Sequence, residues 1–394
     1  MKKRLAIVST HPIQYNAPLF KLLSKQEWLS IKVFYTWGQS KGKVFDPGFG
    51  KDREWDIPLL DGYDYQFVEN ISGEPGSHHF KGIINPSLIS EIEAYNPDGL
   101  LVFGWSFQSH LKVIRYFNKR MPVIFRGDST LLDEPAQFTV RKIVRRFFLR
   151  WVYSHVDYVL YAGTANRHYF EQLGLKSHQL LFAPHAIENE RFSDEDGVYE
   201  QDAFFWRREL GIKDHELVFL FAGKLEPKKD PELLLNTFMK LGLHDARLIF
   251  VGDGVLEASL KEKANTDSRI IFLPFQNQSR MPVVYRLGNI FVLPSKGPGE
   301  TWGLAVNEAM ACGRPVLVSD KCGCATDLVK NHHNGFIIRA RDENEWKCAL
   351  QYLGEHRNMA PLLGEASGQL IKNWNFLKQV AVIKDIFINE PAAK

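Results

Sequence analysis

Short apolar runs alternate with amphipathic stretches along most of the chain. Runs such as Arg4–Thr10 and Gly99–Phe103 are brief and rich in aliphatic residues and Phe, which is typical of buried strands. Stretches such as Asn16–Lys25 repeat apolar residues at helical spacing, and the alternation of the two patterns predicts an α/β protein with parallel sheets. The other predicted strands are Ile31–Trp37, Pro122–Phe125, Tyr158–Ala162, Leu180–Pro184, Val218–Ala222, Arg247–Val251, Arg269–Leu273, Ile290–Leu293, Val316–Val318 and Gly335–Ile338. The other predicted helices are Ser87–Tyr95, Phe107–Asn118, Arg141–Tyr153, Thr164–Leu173, Leu304–Ala311, Glu343–Leu353 and Trp374–Ile388.

The segment Ile290–Ser319 contains the densest set of signals. A predicted strand, a loop rich in Pro and Gly, a helix over Leu304–Ala311 and a second strand follow one another. This order is that of a parallel crossover unit in an α/β fold. Glu300 lies in the loop before the helix, and Glu308 lies within the helix.

The start of that helix is suited to a phosphate group. Its first amides, around Trp302–Ala305, have no partner within the helix, and Gly303 lets a ligand approach the backbone. From Gly303 to Glu308 the helix rises about 1.5 Å per residue, or roughly 8 Å, which is close to the length of a diphosphate. Glu300 and Glu308 would then each bind a hydroxylated group. A glycine-capped core helix with two solvated acids is the alternative, and the spacing leaves both open.

The wider motif resembles a known signature. Glu300, seven residues and Glu308, with Trp302-Gly303 between them and Ala-Met-Ala-x-Gly-x-Pro-Val over residues 309–316, resemble the E-x7-E signature of glycosyltransferase family 4. The resemblance implies a GT-B fold, in which two Rossmann-like parallel-sheet domains face a central cleft. It also implies a retaining, metal-independent transfer of a sugar from a nucleoside diphosphate sugar, with no further cofactor.

The same resemblance implies roles for residues in the second half of the chain. Gly223-Lys224-Leu225 and Lys229 are similar to the family pattern Gly-Arg-Leu-x-x-x-Lys, and two cations at this spacing can bind one diphosphate. A lysine-rich surface turn is the alternative. Glu308 is expected to hold the ribose, and Glu300 the hydroxyl groups of the donor sugar. The remaining donor-binding candidates are Gly252, Asp253 and Gly254 after one strand, Pro274 and Phe275 after the next, and Thr301, Trp302, Gly303 and Leu304 at the helix start.

Candidate chemistry in the first half follows two predicted strands. His11, Gln14 and Asn16 come after the first strand, where open α/β sheets bind ligands, and are expected to form an acceptor loop. The stretch His-Pro-Ile-Gln-Tyr is similar to a subset of bacterial family 4 enzymes, and simple turn chemistry is the alternative. Arg126 and Asp128 follow a later strand, where the family usually has a His near the donor sugar, and both are catalytic candidates.

The predicted helix Arg141–Tyr153 is both basic and strongly apolar. At about 100° per residue, its five cations fall on one half of the helix and its bulky apolar side chains on the other. A basic amphipathic helix suits an anionic membrane surface. The alternative is a helix that buries its apolar half in the core and exposes a basic face.

Composition narrows the class of protein. A chain of 394 residues with 45% hydrophobic and 24% charged residues is typical of a soluble protein with two domains. The net charge of +3 does not favour nucleic acid as a partner. Four cysteines predict no disulfide framework, and no apolar run reaches the length of a membrane span. We therefore expect a cytoplasmic protein, at the inner face of the plasma membrane if the basic helix binds lipid.

Two domains are predicted. Residues 1–192 are expected to bind the acceptor and 193–371 the nucleotide sugar, with a last helix at about 372–390 returning to the first domain. The acidic stretch Ser193–Asp202 is expected to be the linker. The resemblance implies a hexosyltransferase of bacterial surface polysaccharide, lipopolysaccharide or glycolipid assembly. A sugar-nucleotide epimerase or a phosphorylase of the same fold, and a non-catalytic sugar-nucleotide-binding protein, are the alternatives.

Overall fold

The computed structural model describes residues 2–38, 44–46, 51–53, 55–132, 134 and 139–388. These residues form two compact units. The first contains the described residues up to Val44, Pro58–Pro184 and the chain from Phe376 onward; the second contains those of Phe45–Ile57 and His185–Asn375. The main boundary therefore falls after Pro184 rather than after residue 192.

The described strands and helices are numbered along the chain. The strands are β1 (Lys3–Ser9), β2 (Leu29–Tyr35), β3 (Val44–Asp46), β4 (Lys51–Arg53), β5 (Tyr65–Phe67), β6 (Gly99–Phe103), β7 (Val123–Arg126), β8 (Tyr158–Tyr161), β9 (Leu180–Phe182), β10 (Leu217–Ala222), β11 (Ala246–Val251), β12 (Ile270–Leu273), β13 (Ile290–Leu293), β14 (Val316–Ser319) and β15 (Gly335–Ile338). The helices are α1 (Ala17–Ser24), α2 (Leu88–Tyr95), α3 (Gln108–Phe117), α4 (Val140–Tyr153), α5 (Thr164–Gln172), α6 (Asn189–Phe192), α7 (Val198–Glu209), α8 (Pro231–Met239), α9 (Glu257–Ala264), α10 (Met281–Leu287), α11 (Leu304–Ala311), α12 (Ala325–Leu328), α13 (Glu343–Glu355), α14 (Met359–Ile371) and α15 (Phe376–Ile388). Every predicted strand and helix has a counterpart. The interpretation of Ser193–Asp202 as a linker was wrong in its second half, because α7 begins at Val198.

The first unit is built on a seven-stranded parallel sheet in the order β5-β2-β1-β6-β7-β8-β9. Its central strands are apolar on both faces, so Leu5, Ile7 and Val8 of β1 are fully buried. Helix α15 packs against α1 and β9 in this unit. Gly99 makes room for it, since a Cβ added there would lie 2.7 Å from the ring of Phe387.

The second unit is built on a six-stranded parallel sheet in the order β12-β11-β10-β13-β14-β15. The chain moves outward in one direction from β10 to β12 and in the other from β13 to β15. The switch point therefore lies between β10 and β13, where open α/β sheets bind ligands at the carboxyl ends of their strands. The loops after these two strands contain Lys224 and Lys229 on one side and Glu300 on the other.

Candidate active site

Lys229 and Glu300 form an ion pair at the switch point of the second unit. The Lys229 ammonium lies 2.6 Å from Oε2 of Glu300, and Glu300 is only 6% exposed. Lys229 ends a short 3-10 turn, Pro227–Lys229, after β10, and Glu300 lies in the loop between β13 and α11. The resemblance treats these residues as separate ligands of the donor, whereas the structure joins them directly.

The two oxygens of Glu300 have different surroundings. Oε2 accepts hydrogen bonds from Lys229 and from Oγ of Ser295, which lies 2.9 Å away. Oε1 has no hydrogen-bond partner among the described residues, and it lies 3.6 Å from the place where a Cβ on Gly303 would stand. Oε2 therefore fixes the carboxylate, and Oε1 is left to accept a hydroxyl group from a ligand.

Glu300 also sets the charge of Lys229. Burial alone lowers the pKa of a lysine, but the charge of the Glu300 carboxylate and its hydrogen bond outweigh burial, so the pKa of Lys229 is raised above its ordinary value. Lys229 is therefore an ammonium at neutral pH. Its three N–H donors can serve Glu300 and a phosphate oxygen together.

Glycines allow the loops after β10 and β11 to pack closely against each other. Gly223 and Gly252 have φ values of 156° and 135°, and a Cβ on Gly252 would lie 2.1 Å from the carbonyl oxygen of Gly223. A Cβ on Gly254 would lie 2.3 Å from the carbonyl oxygen of Leu225. These close approaches hold the half-buried Lys224 at the end of β10.

The loop after β12 is tied to the loop after β11. The buried Asp253 carboxylate accepts a hydrogen bond of 3.0 Å from the backbone N–H of Phe275. Pro274 is exposed and Phe275 is partly exposed. Asp253 is therefore bound within the protein, while the next strand end presents apolar surface.

A tight turn after β14 supports the Glu300 loop from behind. The backbone N–H groups of Gly323 and Cys324 donate to the carbonyl oxygens of Glu300 and Trp302, at 3.1 and 3.0 Å. A Cβ on Gly323 would lie 1.7 Å from the carbonyl oxygen of Thr301. Only glycine fits there, so the Cys-Gly-Cys stretch has a structural role. Cys322 and Cys324 are buried free thiols, and burial raises the pKa of Cys322 to about 12.

The start of α11 is fixed by a chain of side-chain contacts. Trp302 donates from Nε1 to Asn307 at 2.9 Å, and Asn307 donates to the carbonyl oxygen of His185, also at 2.9 Å. The Trp302 ring lies between His185 and Trp374, at 5.8 and 5.3 Å. Gly303 follows with a φ of 96°, and Leu304 begins the helix. Thr301 and Leu304 are both partly exposed. His185 and Trp374 lie next to the unit boundaries after Pro184 and Asn375. Both therefore contact Trp302 in the loop before α11.

Glu308 is buried one turn further along α11. Its Oε2 accepts a hydrogen bond of 2.6 Å from the hydroxyl of Tyr285, a buried residue of α10. Tyr285 therefore orients the carboxylate that is expected to bind the ribose.

Arg126 donates hydrogen bonds to backbone carbonyl groups of the first unit. Its guanidinium is buried and donates to the carbonyl oxygens of Leu160, Ala183 and Pro184, at 3.3, 2.8 and 3.5 Å. Burial lowers the pKa of Arg126 to about 10, and the charge of Asp128 opposes this shift in part. Arg126 thus binds the ends of β8 and β9, which is a structural role. These contacts do not support the predicted catalytic role of Arg126. Asp128 is exposed.

The predicted acceptor loop lies at the carboxyl end of β1. His11, Gln14 and Asn16 are all half-buried there, and Asn16 precedes α1 without capping it through its side chain. His11 shares a hydrogen bond of 3.0 Å with Thr10, and its ring meets the edge of Trp37 at 5.2 Å. These residues share one strand end, as expected, and no ligand role follows from the contacts alone.

His110 is buried behind this loop. It bonds to Thr36 at 2.8 Å through Nε2 and to the carbonyl oxygen of Gly104 at 3.0 Å through Nδ1, which must donate. Burial lowers the pKa of His110 to about 4, although the bonds to Gly104 and Phe103 oppose the shift. The residue is therefore neutral and joins the ends of β2 and β6.

Sequence reasoning missed three residues of the second unit. Ser295 could have been predicted, because it lies two residues after β13, at the carboxyl end of a strand beside the switch point. Tyr285 and Asn307 gave no signal, since the helix that holds Tyr285 was not predicted and Asn307 is one of several polar residues in the motif. In the described ranges, no group of three or more His, Cys, Asp or Glu side chains is arranged to hold a metal ion.

The chain is similar to known families, proteins and structures. Residues 202–369 match the family model described as glycosyl transferases group 1. This match lies within the second unit. The chain is 30% identical over 188 residues to the UDP-Gal:alpha-D-GlcNAc-diphosphoundecaprenol alpha-1,3-galactosyltransferase of Escherichia coli, covering 46% of this chain and 47% of that protein. It is 31% identical over 175 residues to the D-inositol 3-phosphate glycosyltransferase of Rhodococcus jostii, covering 41% and 38%.

The matched segments span less than half of each of these relatives. Among solved structures, the chain resembles Anabaena Alr3699/HepE in complex with UDP and glucose, with a TM-score of 0.71 and 16% identity over 98% of this chain and all of that one. With its two parallel-sheet α/β units, the protein has the GT-B fold.

Proposed function

We propose that the protein is a retaining hexosyltransferase that moves a sugar from a nucleoside diphosphate sugar to an acceptor hydroxyl. The observation that carries the proposal is the Lys229–Glu300 pair at the switch point of a group 1 domain. It combines a cation for the diphosphate with a carboxylate oxygen for the sugar. Retention and independence of metal and of other cofactors come from the E-x7-E resemblance and are part of the proposal.

In this mechanism the bond between the anomeric carbon and the diphosphate oxygen breaks while the acceptor oxygen bonds to that carbon, and the proton of the acceptor hydroxyl passes to the departing diphosphate. Negative charge develops on the leaving diphosphate, so Lys229, Lys224 and the first amides of α11 stabilise the transition state. Oε1 of Glu300 accepts a hydroxyl group of the donor sugar, and Glu308 holds the ribose. Gly252, Gly254, Pro274 and Phe275 contribute backbone and apolar contacts to the nucleotide.

We propose a lipid-linked or growing glycan as the acceptor, held by the unit that contains His11, Gln14 and Asn16. The names of the two relatives contain alpha-D-GlcNAc-diphosphoundecaprenol and D-inositol 3-phosphate. Bacterial surface polysaccharide, lipopolysaccharide or glycolipid assembly on the cytoplasmic side is the setting that fits such an acceptor.

The test is release of nucleoside diphosphate from a panel of nucleotide sugars, with acceptor and without added metal. Lys229→Ala and Glu300→Gln should each reduce kcat/KM by roughly 100- to 1000-fold, because each removes an interaction made at the reacting group. Lys228→Ala is the matched control, since Lys228 is the neighbouring lysine and pairs with Glu226 at 3.4 Å.

The outcomes separate the alternatives. An epimerase converts the sugar nucleotide without release of diphosphate, and a phosphorylase requires inorganic phosphate. Binding of donor without turnover, with any acceptor, would leave only the non-catalytic binding protein.

We also propose that α4 contacts an anionic membrane. Val140, Val144 and Phe147 are 76%, 62% and 64% exposed, and Phe148 and Trp151 are each 41% exposed. The residues that α4 buries are instead Leu149, Val152 and Tyr153, so burial of the apolar half in the core does not explain the pattern. The exposed arginines of the same helix supply the positive charge that anionic headgroups attract. No helix in the described part of the chain has the length and hydropathy needed to cross a bilayer.

Flotation with liposomes tests this surface. The wild type should float with phosphatidylglycerol vesicles, float less at high salt, and not float with phosphatidylcholine alone. Arg145→Glu, Arg146→Glu and Arg150→Glu together should abolish flotation. The same charge change at exposed Lys2, Lys21 and Lys25 should leave flotation intact, and equal loss in both triple variants would point to net charge rather than to α4.

A further inference from the structure

We propose that Trp55 forms one wall of the nucleobase subsite, an inference that rests on the proposed function. Trp55 lies between β4 and β5. The described residues of Phe45–Ile57 belong to the second unit, although the chain before and after them belongs to the first. Trp55 therefore lies on the donor side.

Asp56 anchors this segment to the loop after β12. Its carboxylate oxygens accept hydrogen bonds of 3.1 and 3.3 Å from the backbone N–H of Ser279, and Oδ2 also bonds to the Ser279 hydroxyl. The backbone N–H of Asp56 donates to Asn277 at 3.4 Å. Several bonds from one residue set the position of its neighbour Trp55.

The anchor places two aromatic rings side by side. The Trp55 and Phe275 rings lie 6.3 Å apart at an angle of 58°, and both are partly exposed. Phe275 is itself held through its N–H by Asp253. Partly exposed aromatic faces at fixed positions are platforms on which a nucleobase stacks.

The position along the sheet fits a base rather than a phosphate. Phe275 follows β12, which is two strands from β10 in the sheet order. Adjacent strands are about 4.8 Å apart, so the ring pair is roughly 10 Å from the lysine loop across the sheet. That distance leaves room for a ribose between a diphosphate at Lys224 and Lys229 and a base at Trp55. Among described residues near this strand end, the ring pair also supplies the apolar surface that a base requires.

Calorimetric titration of the full chain with UDP, ADP, GDP and inorganic pyrophosphate tests the inference. Pyrophosphate has the charge of the ligand but no base. Trp55→Ala should raise the Kd of at least the preferred nucleoside diphosphate by roughly 5- to 150-fold and leave the Kd of pyrophosphate unchanged. Trp55→Phe should recover most of the loss, and Asp56→Ala should weaken the same nucleotide. Trp206→Ala is the control, because Trp206 is a half-buried tryptophan of α7 in the same unit.

The results distinguish this inference from the proposed function. A wild type that binds none of the three nucleoside diphosphates overturns the proposed function and this inference with it. Unchanged nucleotide affinity in Trp55→Ala overturns the inference alone. Equal weakening of nucleotide and pyrophosphate also overturns it, because it would show that the segment supports the fold of the site and does not contact the base.

Discussion

Both units place a cation at or after the carboxyl end of an inner strand, and the two cations have different partners. In the second unit, Lys229 pairs with Oε2 of Glu300, and its remaining donors and Oε1 stay available to a ligand. In the first unit, Arg126 donates to three backbone carbonyl oxygens of its own unit. A strand-end cation therefore indicates a ligand site only if the surrounding acceptors leave some of its donors unused.

The same contrast holds for the buried acid and base groups. Glu308 is buried within α11 and accepts a hydrogen bond from Tyr285, whereas His110 is buried among strand ends with both ring nitrogens bonded. We therefore expect substitutions in the first unit to act on stability and substitutions in the second unit to act on nucleotide affinity.

The largest effect is expected for Arg126→Met. The change keeps the apolar stem but removes the hydrogen bonds that buried Arg126 donates to three carbonyl oxygens, so the free energy of unfolding should fall by roughly 3 kcal/mol or more. Urea denaturation measures the loss. Arg115→Met, at an exposed arginine of α3, is the control and should change stability much less. If folded Arg126→Met protein keeps its stability but loses turnover, Arg126 belongs to the catalytic machinery and the contrast between the units fails.

A smaller effect is expected at acid pH from His110. Its pKa is about 4 in the folded protein against an ordinary 6.5, so between these values the unfolded chain binds the proton more readily. Stability is therefore fully present above pH 6.5 and is lost as pH falls toward 4, by about 2 kcal/mol at pH 5. His110→Gln should flatten this part of the pH dependence in urea denaturation between pH 7.5 and 5.

The control for that experiment is His178→Gln, at an exposed histidine of the same unit. Its pH profile should match that of the wild type. A His110→Gln profile with the wild-type slope would show that other groups cause the acid loss.

The smallest effect is expected for Tyr285→Phe in the second unit. Loss of the hydroxyl removes the hydrogen bond that orients Glu308, so the affinity for the preferred nucleoside diphosphate should fall by about 1 kcal/mol, or roughly 5-fold. Titration with the ribonucleotide and its 2′- and 3′-deoxy analogues measures it. The variant should lose most of its preference for the ribonucleotide, whereas equal weakening for all three ligands would indicate a packing role. Tyr352→Phe, whose hydroxyl bonds to Met359, is the control.

The amino-acid sequence by itself predicted the strands of the two large sheets except β5, and it predicted helices α1 to α5, α11, α13 and α15. It also located Lys229, Glu300 and Gly303 in the loops that follow strands and Glu308 within a helix. Both follow from local rules, because side-chain periodicity, glycine punctuation and motif spacing act within a few tens of residues. The same rules predicted that His11, Gln14 and Asn16 share a strand end.

Only the tertiary structure decided how these groups are paired. The partners of Arg126, the tyrosine behind Glu308, the exposure of the apolar residues of α4 and the position of Trp55 all depend on contacts between residues far apart in the chain. Periodicity assigns a face to a helix but does not say what covers it, so α4 was compatible with either a buried or an exposed apolar half. A hydrogen-bonding side chain at a strand end likewise becomes a ligand group or a structural tie according to the acceptors that folding brings beside it.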